Sequence, residues 1–198
     1  MGSSATSGSL APGFLVAAPA LADPNFDGSL VLMAQHGPEG ALGFVVNRAA
    51  PLSAADVLAA VDGPLSRAAR AAGRNIGAVL LGGPVRTEQL WVLCRPSALP
   101  PGEDFLAVGN GLALGGSREI LEAVATAPHP SPFLLFLGYS GWGPLQVEQE
   151  VGAGAWVPMP LHEDLVLDVP LDARYDEAVR RLGLTPGGFT VGGGGAQA

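Results

Sequence analysis

Lysine is absent from the 198 residues, so all ten basic side chains are arginines. That excludes a P-loop lysine, a Schiff-base lysine and the kinase-type lysine, because each of those chemistries needs a primary amine. Cysteine is nearly absent too. The single Cys94 lies in the apolar run LWVLC, has no partner for an internal disulfide, and reads as a buried thiol suited to a reducing cytoplasm. Charge is scarce, at 14% of residues, and its balance is acidic, with a net charge of −8 and a pI near 4.7. Phosphate backbones are bound by cations, so this balance argues against broad nucleic-acid contact. Arg67, Arg70 and Arg74 form a local basic group, which reads either as a small contact patch or as a solvated helix face. No apolar run approaches the roughly 18 residues that a membrane helix needs. The segment FLVAAPALA (14–22) imitates the core of a secretory signal, but such signals start with positive charge and the first cation here is Arg48. A buried strand ending at Pro19 explains the run better. The opening MGSSAT fits a myristoylation pattern, and equally a Ser/Gly-rich disordered start.

What the chain does contain is apolar surface and turns. Hydrophobic residues make up 48%, mean hydropathy is +0.34, and there are 29 glycines and 18 prolines. That composition suits one domain with many loops. SLVLMAQH (29–36) and ALGFVVN (41–47) read as two strands joined at GPEG, a hairpin. Ser53 is placed to cap a helix with Val57, Leu58 and Val61 on one face, and Ser117 to cap another with Ile120, Leu121 and Val124. Residues 76–81 and 89–94 read as strands. FLLFL (133–137) is wholly apolar, as a central strand covered on both faces would be. A last helix is expected to open at Asp172, to carry Tyr175, Val179 and Leu182 on one face, and to end at Gly183 with Pro186 beyond. No repeat or linker divides the chain. The expected organisation is a disordered tail over 1–12, one domain over 13–190, and a flexible tail over 191–198.

The stretch GYSGWGPLQVEQE (138–150) sets the main chemical question, because an apolar strand followed by GYSG resembles the way hydrolases present a nucleophile. A nucleophile elbow is G-x-S-x-G, with glycines allowing the tight turn. Here Trp142 occupies the place of the second glycine, the only later histidine is His162, and the intervening acids Glu148 and Glu150 follow the serine directly. A catalytic triad on Ser140 is not expected. His36, His129 and His162 lack ligand spacing, and no cysteine pair exists for zinc. His162-Glu163-Asp164 reads as a solvated turn rather than a cation site, and GNGLALGG misses the dinucleotide pattern. Glu148 and Glu150, two apart on a helix, point away from each other, while Gln146 and Glu150 share a face. Neither cofactor nor metal is expected.

Four segments, in order, carry a family resemblance. They are Phe14 to Pro19 with Leu21, Asp23-Pro24 and Phe26; His36, Gly40, Gly43 and Val45-Val46-Asn47-Arg48; Gly82-Gly83-Pro84-Val85; and Gly138-Tyr139, Gly141-Trp142, Gln146, Glu148, Glu150 and Trp156. Together they resemble the AlgH/YqgE family of bacterial proteins, which has no established biochemical function. The resemblance runs from about Phe14 to Gly183. It implies an α+β domain with a mixed, strongly bent sheet approaching a barrel, flanked by helices. The chain departs from the family at Ser140, where alanine is usual, at Cys94, where histidine is frequent, at Ala49, where proline is, and at Gly28, beside which an arginine often stands. Some members carry the label of transcriptional regulator, yet nothing here reads as a helix-turn-helix.

The candidate ligand-binding residues are therefore His36, Asn47 and Arg48 from the hairpin motif, with Tyr139, Trp142, Gln146 and Glu148 from the later motif. GYSGWG is read as a glycine-rich turn between strand and helix, its aromatic rings either walling a pocket or capping the core. The favoured function is a cytoplasmic, non-enzymatic module that binds a small molecule or a protein partner, without membrane insertion. A hydrolase of unrecognised type and a nucleic-acid-linked regulator are the alternatives. The two motifs are expected to meet on one concave surface, with Arg48 as its cation.

Overall fold

The computed structural model of the chain describes residues 8–21, 23–61, 63–64, 67, 78–126 and 133–184. Arg70, Arg74, His129 and the tail at 191–198 lie outside them. Ten strands form one mixed sheet: β1 (Gly13–Ala17), β2 (Leu30–Gly37), β3 (Gly40–Val45), β4 (Ala49–Ser53), β5 (Ala78–Leu81), β6 (Val85–Cys94), β7 (Leu106–Val108), β8 (Leu112–Gly115), β9 (Phe133–Trp142) and β10 (Trp156–Pro160). The path runs β10-β1-β2-β3-β9-β6-β8-β7, with β5 joining β9 and β4 joining β5. All pairings are antiparallel except that of β5 with β9. The sheet bends until β7 lies near β2, but the two do not pair, so the barrel stays open.

The alternation of side chains along strands sorts the apolar residues into three layers. Phe14, Val16, Leu30, Leu32, Phe44, Leu93 and Phe136 face the inside of the bend. Their neighbours Leu15, Ala17, Val31, Met33 and Val45 face outward beneath Trp142, Trp156 and Val147. On the other outer patch Val79, Val92, Cys94 and Leu135 are covered by α1 (Ala54–Val61) and α2 (Arg118–Thr126). β9 thus feeds the inner core with Phe136 and the helix-covered core with Leu135, as its unbroken apolar sequence anticipated.

Local signals explain most of the elements. The β2–β3 hairpin turns over Pro38-Glu39, with Gly37 opposite Gly40. Ser53 Oγ accepts the Asp56 N–H at 3.1 Å, and Ser117 Oγ accepts that of Ile120 at 3.2 Å, so both serines cap as expected. Cys94 is fully buried, and burial pushes its thiol up to about 11. After β9 come α3 (Gln146–Gly152), β10 and the short α4 (Asp164–Leu167), then α5 (Arg174–Arg181). Asp172 lies in a 3₁₀ turn just ahead of α5, and Gly183 ends that helix at φ +73.

Arg174 closes one end of the molecule. Its guanidinium is buried and donates to the carbonyls of Val46 at 2.6 Å, Val166 at 2.7 Å and Val169 at 3.1 Å. Burial lowers its pKa to about 10. Tyr175 adds a 2.7 Å bond from its hydroxyl to the Ala17 carbonyl, tying α5 to β1.

Candidate functional site

GYSGW is strand, not turn. β9 continues through Trp142, pairing Ser140 with Gly43 and Trp142 with Ala41, and the turn is Gly143–Leu145. The glycines serve a crossing of chains. A Cβ on Gly82 would run into the carbonyl of Gly138, and one on Gly83 into the backbone of Tyr139. Ser140 is fully buried, and its hydroxyl donates to the Gly82 carbonyl at 3.1 Å, so it is not presented to any substrate.

The later motif builds a polar hub around Glu150. One oxygen of its carboxylate accepts both indole N–H groups, from Trp142 at 3.0 Å and from Trp156 at 2.8 Å. The other accepts the Gln146 amide at 2.9 Å, and Gln146 Oε1 in turn accepts the Gly143 N–H at 3.0 Å. The two indoles meet edge to face at 6.1 Å, and Phe26 stacks on Trp142. Gln146 and Glu150 do share a face, as their spacing requires.

Glu148 points elsewhere, to His36, with 3.0 Å between Glu148 Oε1 and His36 Nε2. His36 Nδ1 accepts the Leu10 N–H at 3.0 Å, so Nε2 carries the ring hydrogen and donates it to Glu148. The side chain is only 7% exposed and both nitrogens are engaged. Of the expected tail over 1–12, residues 8–12 lead into β1 through this contact, and residues 1–7 lie outside those described.

Asn47 and Arg48 hold a loop. Asn47 accepts the Leu30 N–H and donates to the Gly28 carbonyl, both at 2.8 Å. Arg48 donates to the carbonyls of Pro24 at 3.3 Å, Asn25 at 2.6 Å and Asp27 at 2.6 Å. Its guanidinium is thus largely consumed by the 23–29 loop.

The candidates therefore separate into two groups. At the hairpin-tip end of β3, a hollow of about 730 Å³ opens between β3, β9 and β6. Half-buried Leu42, Trp91 and Tyr139 line it with apolar surface, and Gly141 and Trp142 form part of its wall. Gln35, Glu39, Arg86 and Gln89 contribute its polar groups. His36 lines a second hollow of about 440 Å³ that shares Gln35, Glu39 and Gly40 with the first. Arg48 lines a third, of about 200 Å³, with Val45, Gly83 and Thr87 among others. It has no lining residue in common with the first, so the expected single surface is corrected. Asn47 and Trp142 flank opposite ends of β3, whose pairing with β9 covers only Ala41 to Gly43.

Arg86, which no sequence motif singles out, lines the first hollow from a bulge in β6. β6 bulges between Val85, opposite Tyr139, and Leu90, opposite Leu137. Within that bulge Arg86 adopts φ +45. Among the described residues, no group of three His, Cys, Asp or Glu side chains converges to hold a metal ion, and no helix is long and apolar enough to cross a membrane.

An open, bent α+β sheet with helices outside and an aromatic-lined hollow at its end defines the class of domain. The sequence profile described as AlgH-like matches residues 14–187, and the chain belongs to that family. Among similar proteins are one described as a UPF0301 protein from Anaeromyxobacter sp. (strain K), 65% identical over 96% of both chains, and one from Anaeromyxobacter sp. (strain Fw109-5), 65% identical over 100% of both. The solution structure of the AlgH protein from Pseudomonas aeruginosa superposes with a TM-score of 0.73 at 33% identity, over 93% of this chain and 94% of that one. A crystal structure of a Corynebacterium diphtheriae protein, 20% identical with a TM-score of 0.67, covers 88% of this chain and 87% of that one and shares the fold.

Proposed function

We propose that this chain is a non-enzymatic cytoplasmic binding module whose working surface is the hollow at the hairpin-tip end of the sheet. The hollow itself carries the reading. At about 730 Å³ it falls within the size of small-molecule sites, roughly 300–1,000 Å³. It combines aromatic surface with a few polar groups, at the mouth of a bent sheet, where such sites concentrate. The buried thiol of Cys94 suits a reducing compartment.

In this reading Tyr139 and Trp142 touch the ligand. Gln146, with Glu150, fixes the Trp142 ring, and Glu148 fixes His36 beside the neighbouring hollow. Asn47 and Arg48 hold the loop that brings Phe26 onto Trp142. The hydrolase alternative is weakened by the burial of Ser140 and by the engagement of both His36 nitrogens.

The test is an amide-shift map of the labelled protein in cell extract, for wild type and for Gly141→Leu. A Cβ at Gly141 meets nothing closer than the Tyr139 ring at 3.4 Å, so leucine fills the hollow without forcing the backbone. Shifts centred on Leu42, Trp91 and Tyr139 that vanish in Gly141→Leu support the reading. Shifts that survive the substitution, or that map elsewhere, refute it.

A further inference from the structure

Two described residues other than glycine have positive φ, and one of them lines this hollow. Arg86, at φ +45, lines it directly. Leu145, at φ +62, lies two residues beyond Gly143, against whose backbone Gly40 of the hairpin tip packs. A side chain in the left-handed region costs about 1 kcal/mol or more, and such strain collects where a site demands it. The bulge of β6 sets this φ, and the Arg86 side chain adds no contact to the fold. Its side chain is exposed, and among the described residues it makes neither a hydrogen bond nor an ion pair. Arg48, Arg95, Arg174, Arg180 and Arg181 all have acceptors.

A second oddity lies in the same lining. The Trp91 Nε1–H is buried and has no acceptor. Beside Arg86 stand the Trp91 ring, the Tyr139 ring edge to face with it at 6.4 Å, and the side chains of Leu42 and Val85. The amides of Gln35 and Gln89 add neutral hydrogen-bonding capacity. Glu39, the one carboxylate of the lining, opposes a second negative charge on whatever binds.

Resting on the reading of the hollow as a binding site, we infer that it takes a monocarboxylate joined to an aromatic or apolar body, with Arg86 as the carboxylate receptor. The strained bulge aims a guanidinium that no protein group neutralises, and planar guanidinium matches carboxylate in a way no neutral group does. The apolar body lies over Tyr139 and Trp91. The same chemistry arises from a free aromatic acid or from the C-terminal carboxylate of a peptide ending in an apolar residue.

The experiment uses the full chain and four probes. These are phenylpropionate, phenylpropionamide, and a short peptide ending in phenylalanine with a free or an amidated C-terminus. Amide and indole N–H shifts report the site, the Trp91 indole signal above all. The carboxylate form of at least one pair should shift Trp91 and Tyr139 and bind about tenfold or more tighter than its amide, the loss expected when a charge-assisted contact is removed. Which pair responds separates a free acid from a peptide terminus. Arg86→Gly, which suits the positive φ and removes the cation, should keep the fold and abolish the preference, and Arg86→Lys should retain part of it. Equal binding of acid and amide at the hollow overturns the inference and leaves the module standing. So does the failure of all four probes while an extract component still maps to the hollow. Silence of the hollow toward both probes and extract overturns the two together.

Discussion

Removing the Glu150 carboxylate should be among the most damaging single changes in this chain, although the residue is itself half exposed. Two indole N–H groups converge on one of its oxygens, from rings that are 6% and 2% exposed. Glu150→Ala leaves both donors without an acceptor, and each buried donor so abandoned costs about 1–3 kcal/mol. The exposed Gln146 contact adds little. Water reaching the vacated space offsets part of the loss, so the net destabilisation should be about 2–4 kcal/mol, a large share of the roughly 5–15 kcal/mol of a typical domain. Glu150→Gln keeps a carbonyl oxygen for both indoles and should cost about 1 kcal/mol, near the net worth of an ordinary hydrogen bond. Urea unfolding followed by tryptophan fluorescence and near-ultraviolet circular dichroism measures both variants. If alanine costs under about 1 kcal/mol, or glutamine costs as much as alanine, the carboxylate is not what holds the two indoles.

Ser140→Ala should cost no more than about 1 kcal/mol in the same urea assay, because the Gly82 carbonyl keeps its 2.9 Å bond from the Val45 N–H; a loss of several kcal/mol refutes this. Cys94 should resist a thiol reagent in the native protein and react fully in denaturant, since the thiol is buried and its pKa is raised to about 11; rapid native labelling contradicts the packing. Glu177 is held at about 2, against an ordinary 4.5, by hydrogen bonds from Arg180 and then Arg181. A carboxyl depressed in the folded state favours folding above 4.5, and that contribution disappears as pH falls toward 2. Glu177→Gln should therefore flatten the fall in stability across that window, less so in high salt, and an unchanged profile would show the exposed pairing to be inconsequential.

Local patterns made the hairpin, the capped helices and the doubly covered strand at FLLFL legible, because each has its own period or cap. β10 was not, since Pro158 and Pro160 interrupt the strand signal; at a sheet edge their missing N–H groups are tolerated and discourage further pairing. The glycines of GYSGW suggested a turn, whereas they make room for the chain at Gly82-Gly83, a contact distant in sequence. The short strands β7, just ahead of GNGLALGG, and β8, inside it, escaped notice for want of length. At the candidate site, the shared face of Gln146 and Glu150 was readable from helix spacing, but the arrival of Trp156 from β10 was not. Arg48 looked like the available cation until the loop carbonyls around it were seen. Arg86 carried no signal in VRTEQ beyond its charge, because a positive φ is imposed by the bulge opposite Tyr139 and Leu137.

The position of β9 also bears on how the chain comes to be made. It is the shared neighbour of β3, β5 and β6, yet it begins only at Phe133, 88 residues after β3 ends at Val45. At roughly 5–20 residues per second, several seconds separate the emergence of β3 from that of the strand it must pair with. Until then the hairpin and β5–β6 have no common partner, and the faces later shared with Leu135 and Phe136 remain open to water. Folding should therefore finish late and in one step, with non-local pairing setting its rate. A chain truncated before Phe133 should be captured by holdase chaperones, whereas the complete chain should release itself from them.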